Sequence, residues 1–387
     1  MTNQKRQLDS KLESHFEKYK EVLILLGARQ VGKTTIVKKI FPLAQYLSVD
    51  TEPVREILDR YDPIVYKQIL KPSAKYVVID EIHKLSDPGR AAKIFYDQIP
   101  EYKLIITGSS AFNIKNKASE SLAGRKIEYH LYPLTFSEYF VQKGIVDDFS
   151  NLFLDKFIQN KVYTFDLVSV LDNILVYGLY PEMISRPSDP VYLQNLVDSV
   201  VFKDLLDLRL IENRIGALNL LKLLAHQIGS LVNYSELSSR LGMDVKTIGR
   251  YIDLFEQSFI LYKLLPYSTK QRDEIGKMSK IYFYDLGLRN ALIENFQSLS
   301  NRVDGGQLFE NFIISEILKT NYYGDNNYKL NYWRTKQGSE IDLVLTKSNG
   351  ELRGIEIKSS ARSGGTAFSN RYPQAKIITI NKQNFYQ

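Results

Sequence analysis

The stretch from Leu25 to Thr35, LLGARQVGKTT, constrains the fold of this chain more than any other. It follows the apolar run 22–26, which is typical of a short buried strand, and it leads into residues that favour a helix. The spacing G-x-x-x-x-G-K-T between a strand and a helix is typical of a phosphate-binding loop, because glycines let the loop amides turn toward phosphate oxygens. The sequence therefore predicts an α/β unit built on a parallel sheet.

The predicted loop has expected roles in binding ATP and Mg²⁺. Lys33 would reach the β- and γ-phosphates, and the Thr34 hydroxyl would coordinate Mg²⁺. The backbone amides and the positive end of the following helix would face the phosphates. A strand-to-helix turn with an unrelated lysine is the alternative, and the flanking strand and helix argue against it. The predicted nucleotide-binding residues are Gly27, Ala28, Arg29, Gln30, Val31, Gly32, Lys33, Thr34 and Thr35.

A second apolar strand, within KYVVIDEIHKL, ends in two acids. Asp80 at the strand end could hold Mg²⁺ and its water shell, and Glu81 could orient or deprotonate the attacking water. Two solvated acids at a strand end are the alternative, which the preceding loop makes less attractive. His83 is expected to be a polar strand-end residue rather than a catalyst.

A third strand, KLIITGSS, ends in the polar cluster 107–110. A side chain of this cluster could contact the γ-phosphate or the attacking water, and an ordinary turn explains the pattern equally well. Arg125 follows in SLAGRKIEYH, where it could stabilise transition-state charge, within its own subunit or across a subunit interface, or form a surface ion pair. Strands alternate with helices over 20–145, so we expect nucleotide at the carboxyl ends of parallel strands.

Composition excludes several classes of protein. The absence of cysteine rules out disulfides, thiolate zinc sites and a cysteine nucleophile. No apolar run approaches the roughly 20 residues of a membrane span, and the polar N-terminus lacks the apolar core of a signal peptide, so a cytoplasmic location is expected. The net charge of +7 and the pI near 9.1 permit nucleic-acid binding without requiring it.

Four stretches, GARQVGKTT, VVIDEIHK, IITGSS and LAGRKIEYHLYPLTFSEY, occur in this order, and with them the chain resembles a group of prokaryotic AAA-type ATP-binding proteins. Members of that group carry a helical connector, a winged-helix-like segment and a C-terminal nuclease-like domain. The resemblance implies ATP binding and names no substrate, and AAA-type relatives often form oligomers. The expected parts are an AAA-type P-loop ATPase domain (1–145), a helical lid or connector (146–210), a winged-helix-like domain (211–290) and a nuclease-like domain (291–387).

The middle of the chain carries a helix-turn-helix pattern. One amphipathic helix precedes Gly229, a second is expected from an N-cap at Ser235 to Leu241, and a third begins near Asp244 after a turn at Gly242. The segments ILYKLLPYSTKQR and KIYFYDLGLRN are expected to form a wing hairpin.

The third helix of this pattern could contact DNA. It would direct Lys246, Thr247 and Arg250 toward a groove. Asp244 and Asp253 oppose this thin basic set, so a packing or protein-contact module is the alternative.

The C-terminal part carries an acid on one strand, Asp342, followed by E-x-K on the next, Glu356 and Lys358. This is the pattern of the PD-(D/E)XK nuclease fold, although Ile341 stands where that pattern has proline. Residues i and i+2 of a strand share a face, so Glu356 and Lys358 should point the same way. Asp342 and Glu356 could bind Mg²⁺, with Glu310 adding from a helix, and Lys358 could position water or stabilise phosphorane charge. An ordinary half-exposed strand shows similar alternation, and a fold does not imply its activity.

Two functions follow. The leading hypothesis is an ATP-hydrolysing switch or motor on DNA with a latent Mg²⁺-dependent nuclease, and the alternative is a nucleotide-gated protein-interaction scaffold. The basic C-terminal residues would form a polyanion-facing edge or a solvated end. These residues are Arg362, Arg371, Lys376 and Lys382. The predicted catalytic residues are Lys33, Glu81, Arg125, Asp342, Glu356 and Lys358, and the predicted metal ligands are Thr34, Asp80, Asp342 and Glu356.

Overall fold

The computed structural model describes residues 5–108, 122–146, 149, 167–203, 211–268, 278–358 and 366–385. The predicted polar residues Ser109 and Ser110, the basic Arg362 and the tip of the expected wing, 269–277, lie outside these ranges. The chain divides into two compact units. The first comprises Met1–Pro133 and Gln257–Phe259, and the second comprises Leu134–Glu256 and Ile260–Gln387.

The first unit contains a five-stranded parallel sheet in the order β2-β3-β4-β1-β5. Every residue of β1 is buried, as expected for a parallel sheet that is covered on both faces. This architecture confirms the predicted α/β class. The strands are β1 (Val22–Leu26), β2 (Gln45–Ser48), β3 (Tyr76–Asp80), β4 (Lys103–Gly108) and β5 (Lys126–His130).

The described helices of this unit precede β1 or follow β1, β2 and β3 along the chain. They are α1 (Asp9–Glu13), α2 (His15–Lys18), α3 (Lys33–Ile40), α4 (Glu52–Leu58), α5 (Pro63–Ile69) and α6 (Pro88–Gln98). α5 and α6 each begin with a proline that directly follows an aspartate, Asp62 or Asp87. The side chain of this aspartate caps the helix by accepting hydrogen bonds from backbone N–H groups of the first turn. The third begins directly after Gly32, so the predicted loop lies at a helix N-terminus.

The second unit is helical in its middle. Its helices are α7 (Phe136–Gln142), α8 (Leu167–Tyr177), α9 (Pro190–Val197), α10 (Arg214–His226), α11 (Tyr234–Leu241), α12 (Val245–Gln257), α13 (Leu286–Leu292), α14 (Gly305–Tyr323) and α15 (Thr366–Arg371). The expected N-cap of α11 at Ser235 is wrong: Asn233 caps this helix, and its side chain accepts the amides of Ser235 and Glu236. Gly242 ends α11 with a φ of +62°. None of the helices in the described ranges is long and apolar enough to cross a membrane.

A mixed six-stranded sheet completes the second unit, in the order β11-β10-β9-β8-β6-β7. The strands are β6 (Leu261–Pro266), β7 (Lys280–Phe283), β8 (Lys329–Arg334), β9 (Glu340–Thr346), β10 (Leu352–Ile357) and β11 (Lys376–Ile380). The expected antiparallel hairpin is present as β6 and β7. Its first strand also pairs in parallel with β8, where Leu265 and Pro266 meet Asn331 and Tyr332. Strands from both sides of the predicted boundary at 290 therefore share one sheet.

The PLTFSEY stretch has a structural role in this unit. Thr135 and Glu138 form a capping box that begins α7. The amide of Phe136 donates to Glu316 Oε2 at 2.7 Å, and Lys319 Nζ donates to the carbonyl of Leu134 at 3.2 Å. Both partners lie on α14, so the stretch is tied to that helix by buried charged side chains.

Candidate functional site

The predicted loop lies between β1 and α3, at the carboxyl edge of the parallel sheet. Gly27 leaves no space for a side chain, because a Cβ there would lie 2.2 Å from the Leu131 carbonyl oxygen. Gly32 has a φ of +95°, in the left-handed region that favours glycine. Both glycines of the motif are therefore required by local backbone geometry.

The side chains of the loop differ in their exposure. Ala28 and Val31 are buried, Gln30 and Thr35 are exposed, and Arg29 is intermediate. The buried Lys33 ammonium donates to the carbonyls of Gly27 and Ala28, each at 2.9 Å. The lysine thus lies over its own loop, where phosphate is expected.

Asp80, the last residue of β3, is brought together with two hydroxyl groups. Thr34 Oγ1 donates to Asp80 Oδ2 at 3.3 Å, and the Thr107 hydroxyl donates to Asp80 Oδ1. Mg²⁺ prefers such oxygen ligands, and it commonly uses one or two protein groups beside substrate phosphates. The donor set of Thr34 and Asp80 therefore fits Mg²⁺, and Thr107 is the described member of the predicted polar cluster that reaches the same carboxylate.

Glu81 lies beside this pair in a left-handed conformation, with a φ of +56°. Burial raises the pKa of the Glu81 carboxyl, and the charge of Lys33 opposes that shift. His83 Nε2 lies 3.3 Å from Glu81 Oε2, and the His83 side chain is buried. His83, which was predicted to be a polar strand-end residue, is therefore a direct neighbour of the candidate base.

Arg125 is separated from the loop within the subunit. It precedes β5 beside Val22, at the start of β1, whereas the loop follows Leu26 at the end of β1. Four residues of strand span roughly 13 Å. Arg125 Nε instead pairs with Asp97 Oδ1 at 3.0 Å. The ion-pair alternative describes this placement, and a role across a subunit interface stays a prediction.

Sequence analysis missed Arg6. This buried guanidinium donates from Nη1 to the Val31 carbonyl of the loop at 2.9 Å, and from Nη2 to the Tyr132 carbonyl at 2.6 Å. Arg6 thus joins the loop to the segment after β5. It lies in a polar stretch that matches no motif, so no sequence signal indicated this contact.

In the second unit, Glu356 lies on β10 and Lys358 directly follows that strand, with Lys358 Nζ 2.8 Å from Glu356 Oε2. Asp342 accepts the Ile357 amide at 2.7 Å. Leu343 pairs with Ile355, so the register continues toward Asp342 and Glu356 on neighbouring strands. Burial, together with the charge of Glu310, raises the pKa of Asp342 to about 7.

A lysine from another segment meets these acids. Lys280, at the head of β7, contacts Glu340 Oε1, and its ammonium lies 3.4 Å from Glu310 Oε1. The Tyr282 hydroxyl donates to the same Glu310 oxygen at 2.6 Å. Burial alone would lower the pKa of Lys280, but the charges of Glu310, Glu340 and Asp342 outweigh it and raise that pKa. We call Glu310, Glu340, Asp342, Lys280 and Tyr282 the carboxylate cluster.

Sequence analysis did not identify Lys280, because it opens an apolar strand far from the acids along the chain. Within the described ranges, the structure assembles no group of three or more histidine, aspartate or glutamate side chains that could hold a metal ion.

The predicted DNA-contacting face of α12 is largely exposed. Lys246 and Arg250 are exposed, and Thr247 is intermediate. Arg250 Nη1 lies 3.5 Å from Glu212 Oε1. Of the basic C-terminal residues, Arg371 and Lys376 are exposed.

Family models match three parts of the chain. Residues 19–140 match a model described as an AAA domain. Residues 169–299 and 305–384 match two models that are each described as a domain of unknown function, DUF8612 and DUF4143. The first match agrees with the AAA-type resemblance of the N-terminal part, and the other descriptions mention neither a winged helix nor a nuclease.

The chain is also similar to uncharacterised proteins along most of its length. It is 26% identical over 365 residues to a protein of Methanocaldococcus jannaschii, covering 87% of this chain and 76% of that protein. It is 24% identical over 363 residues to a protein of Haemophilus influenzae, covering 87% and 82%. Among solved structures, the Walker-type ATPase of Pyrococcus abyssi superposes with a TM-score of 0.48 at 14% identity, covering 76% of this chain and 96% of that one.

Proposed function

We propose that this protein binds ATP with Mg²⁺ at residues 27–35 and hydrolyses it. The observation that carries the proposal is that Thr34 Oγ1 lies 3.3 Å from Asp80 Oδ2. Both groups lie next to the glycine-containing loop, where Lys33 donates a hydrogen bond to the carbonyl of Gly27. The AAA-domain match of residues 19–140 supports it.

The residues divide the chemical work. Lys33 binds the β- and γ-phosphate oxygens, and Thr34 and Asp80 hold the metal. Mg²⁺, when bound, neutralises charge that develops on the phosphate oxygens. Glu81 takes a proton from water as the water oxygen attacks the γ-phosphorus, the bond to the bridging oxygen breaks, and ADP leaves. The raised pKa of Glu81 brings its basicity closer to neutral pH, where a general base is most effective.

The finer proposal is that ATP turnover drives a switch that acts on duplex DNA. Its support is the order α11, Gly242, α12, followed by the β6–β7 hairpin, which resembles a winged helix. The exposed side of α12 would then offer Lys246 and Arg250 to phosphates or base edges.

A protein-interaction scaffold is the second candidate, and ion pairs around α12 favour it. Glu212 lies beside Arg250, and Lys263 lies 3.0 Å from Glu256 and 2.5 Å from Asp253. Acids thus balance much of the basic charge near this helix, whereas DNA binding depends on neutralising phosphates with an excess of basic groups.

Steady-state phosphate release in Mg²⁺, without DNA and with single-stranded or duplex DNA at two salt concentrations, tests both candidates. Lys33→Ala and Glu81→Gln should abolish turnover, and Lys38→Ala, which removes an exposed lysine of the same helix, should preserve it. A wild-type protein that releases no phosphate would contradict the ATPase proposal.

The DNA arm has its own control. Salt-sensitive stimulation that is lost in Lys246→Ala/Arg250→Ala, but kept in Lys222→Ala on α10, would support action on DNA. Turnover that is indifferent to both forms of DNA would reject it and favour the scaffold.

A further inference from the structure

The carboxylate cluster combines Asp342, one of the two predicted metal ligands of this unit, with Glu310 and Glu340, and it already contains a cation, the ammonium of Lys280. Glu310 comes from α14, and Glu340 and Asp342 come from β9. The ammonium of Lys280 contacts Glu340 and lies 3.4 Å from Glu310. The Lys280 side chain is only 5% exposed, so it does not extend into solvent away from the acids.

Steric competition decides whether a divalent ion fits here. Mg²⁺ binds oxygen at about 2.1 Å and Ca²⁺ at about 2.3–2.6 Å. An ion bound to the Oε1 atoms of both Glu310 and Glu340 would have to occupy the region where Lys280 Nζ lies. The Tyr282 hydroxyl also uses a lone pair of Glu310 Oε1. The residues of this cluster therefore do not fit a divalent cation in the arrangement that the structure describes.

We propose that the ammonium of Lys280 takes the place of a divalent cation in this cluster, which serves as a structural lock and not as a metal-dependent hydrolytic centre. The lock joins three elements, because Lys280 opens β7 while its partners lie on α14 and β9. It fastens the start of β7 to α14 and to β9, which is not a hydrogen-bonded neighbour of β7 in the sheet. A buried lysine with carboxylate partners avoids the cost of an uncompensated positive charge, and the carboxylates in turn avoid the cost of uncompensated negative charges.

Mn²⁺ binding tests the proposal without reference to any enzymatic activity. Free Mn²⁺ is followed by electron paramagnetic resonance in the full chain, without nucleotide, and with Asp80→Asn to remove the carboxylate of the candidate nucleotide site. We expect no Mn²⁺ site tighter than about 1 mM, the weak end for oxygen-ligand sites. A site that appears here, and disappears when Asp342→Asn is added, overturns the proposal.

A second arm removes the ammonium. In the same background, Lys280→Met should create one Mn²⁺ site, which Asp342→Asn should abolish, whereas Lys280→Arg should create none. Mn²⁺ should also raise the melting temperature of the Lys280→Met protein and leave that of the Lys280 protein unchanged. A folded Lys280→Met protein that gains no site overturns the proposal. The first arm needs no change at Lys280, so it decides the matter even where Lys280→Met fails to fold.

Discussion

The two units of this protein contain carboxylates with opposite kinds of partner. In the first unit, Asp80 accepts hydrogen bonds from the hydroxyls of Thr34 and Thr107. In the second, Glu310 and Glu340 lie against the ammonium of Lys280. Neutral hydroxyls orient a carboxylate and leave its charge for a cation, whereas a buried lysine already balances that charge. The partner, more than the acid, therefore decides which of these carboxylates we propose as a metal ligand.

The largest effect is expected at Asp80, the carboxylate whose partners are hydroxyl groups. Asp80→Ala should reduce ATP turnover by about 10²–10³-fold, because it removes a group that holds transition-state charge through the metal. Thr107→Val keeps the carboxylate and should cost less. Phosphate release over a range of Mg²⁺ concentrations measures both. Near wild-type turnover in Asp80→Ala would mean that Asp80 is not the metal's carboxylate.

A second test concerns Asp304, another carboxylate of the second unit whose partners are cations. It lies 2.7 Å from Arg289 and 2.8 Å from Arg302. Both guanidinium groups are almost fully buried. Asp304→Asn should lower the free energy of unfolding by about 3 kcal/mol, because it leaves buried cations without their counter-charge. Urea denaturation at neutral pH measures the loss. Glu236→Gln, which breaks an exposed pair with Arg240, is the matched control and should change stability by less than about 0.5 kcal/mol.

The same carboxylate predicts a pH dependence. Burial alone would raise the pKa of Asp304, but hydrogen bonds and charge from Arg302 and Arg289 outweigh it and hold that pKa well below its ordinary value. An aspartate with a lowered pKa contributes stability above its unfolded pKa of about 3.9, and loses that contribution as the pH falls. The stability difference between wild type and Asp304→Asn should therefore stay constant from neutral pH to about pH 5 and shrink below about pH 4. A difference that grows on acidification would contradict this sign.

A glycine pair sharpens the comparison at the loop. Gly27→Ala should cost about 2 kcal/mol, because its Cβ would meet a backbone carbonyl that cannot rotate away. Gly242→Ala should cost about 1 kcal/mol, since its surroundings are open and only its positive φ is unfavourable. Thermal unfolding and ATP titration separate the two effects. Only the Gly27 variant should also weaken nucleotide binding. If both variants bind ATP with the same affinity, the loop tolerates the backbone displacement that the new Cβ causes.

The smallest expected effect concerns α12. Arg250 and Glu212 are exposed and 3.5 Å apart, so Glu212→Gln should change the free energy of unfolding by less than about 0.5 kcal/mol. If α12 contacts DNA, the same variant should strengthen DNA binding by freeing positive charge. Fluorescence anisotropy with labelled duplex measures this. Unchanged weak binding would favour the scaffold function.

Local sequence patterns predicted the features that depend on residues close together in the chain. They did not predict the contacts that form only when distant segments pack against each other. The loop, with Gly27 and Gly32, follows from one contiguous motif. Thr34 and Asp80 could be paired because parallel strands end at one edge. The partners of Lys280 could not be predicted. Lys280 meets its acids because β6 pairs with β8 and so brings β7 into the same sheet as β9, and hydrophobic periodicity does not reveal such a pairing. The choice between the alternatives for Arg125 could not be made from the sequence, because only the strand register shows that Arg125 lies at the opposite edge of the sheet from the loop.

The tie between Phe136 and Glu316 has a consequence for how the chain is made. These residues are 180 positions apart. At about 5–20 residues per second, α14 leaves the ribosome roughly 9–36 s after α7. The capping box of Thr135 and Glu138 can form at once, whereas the apolar side of α7 must await its distant partner. We expect synthesis to pass through a period in which the apolar residues of this segment are uncovered, because a seven-residue helix is marginal without its packing partner. During that period these residues are available to a chaperone that binds exposed apolar segments.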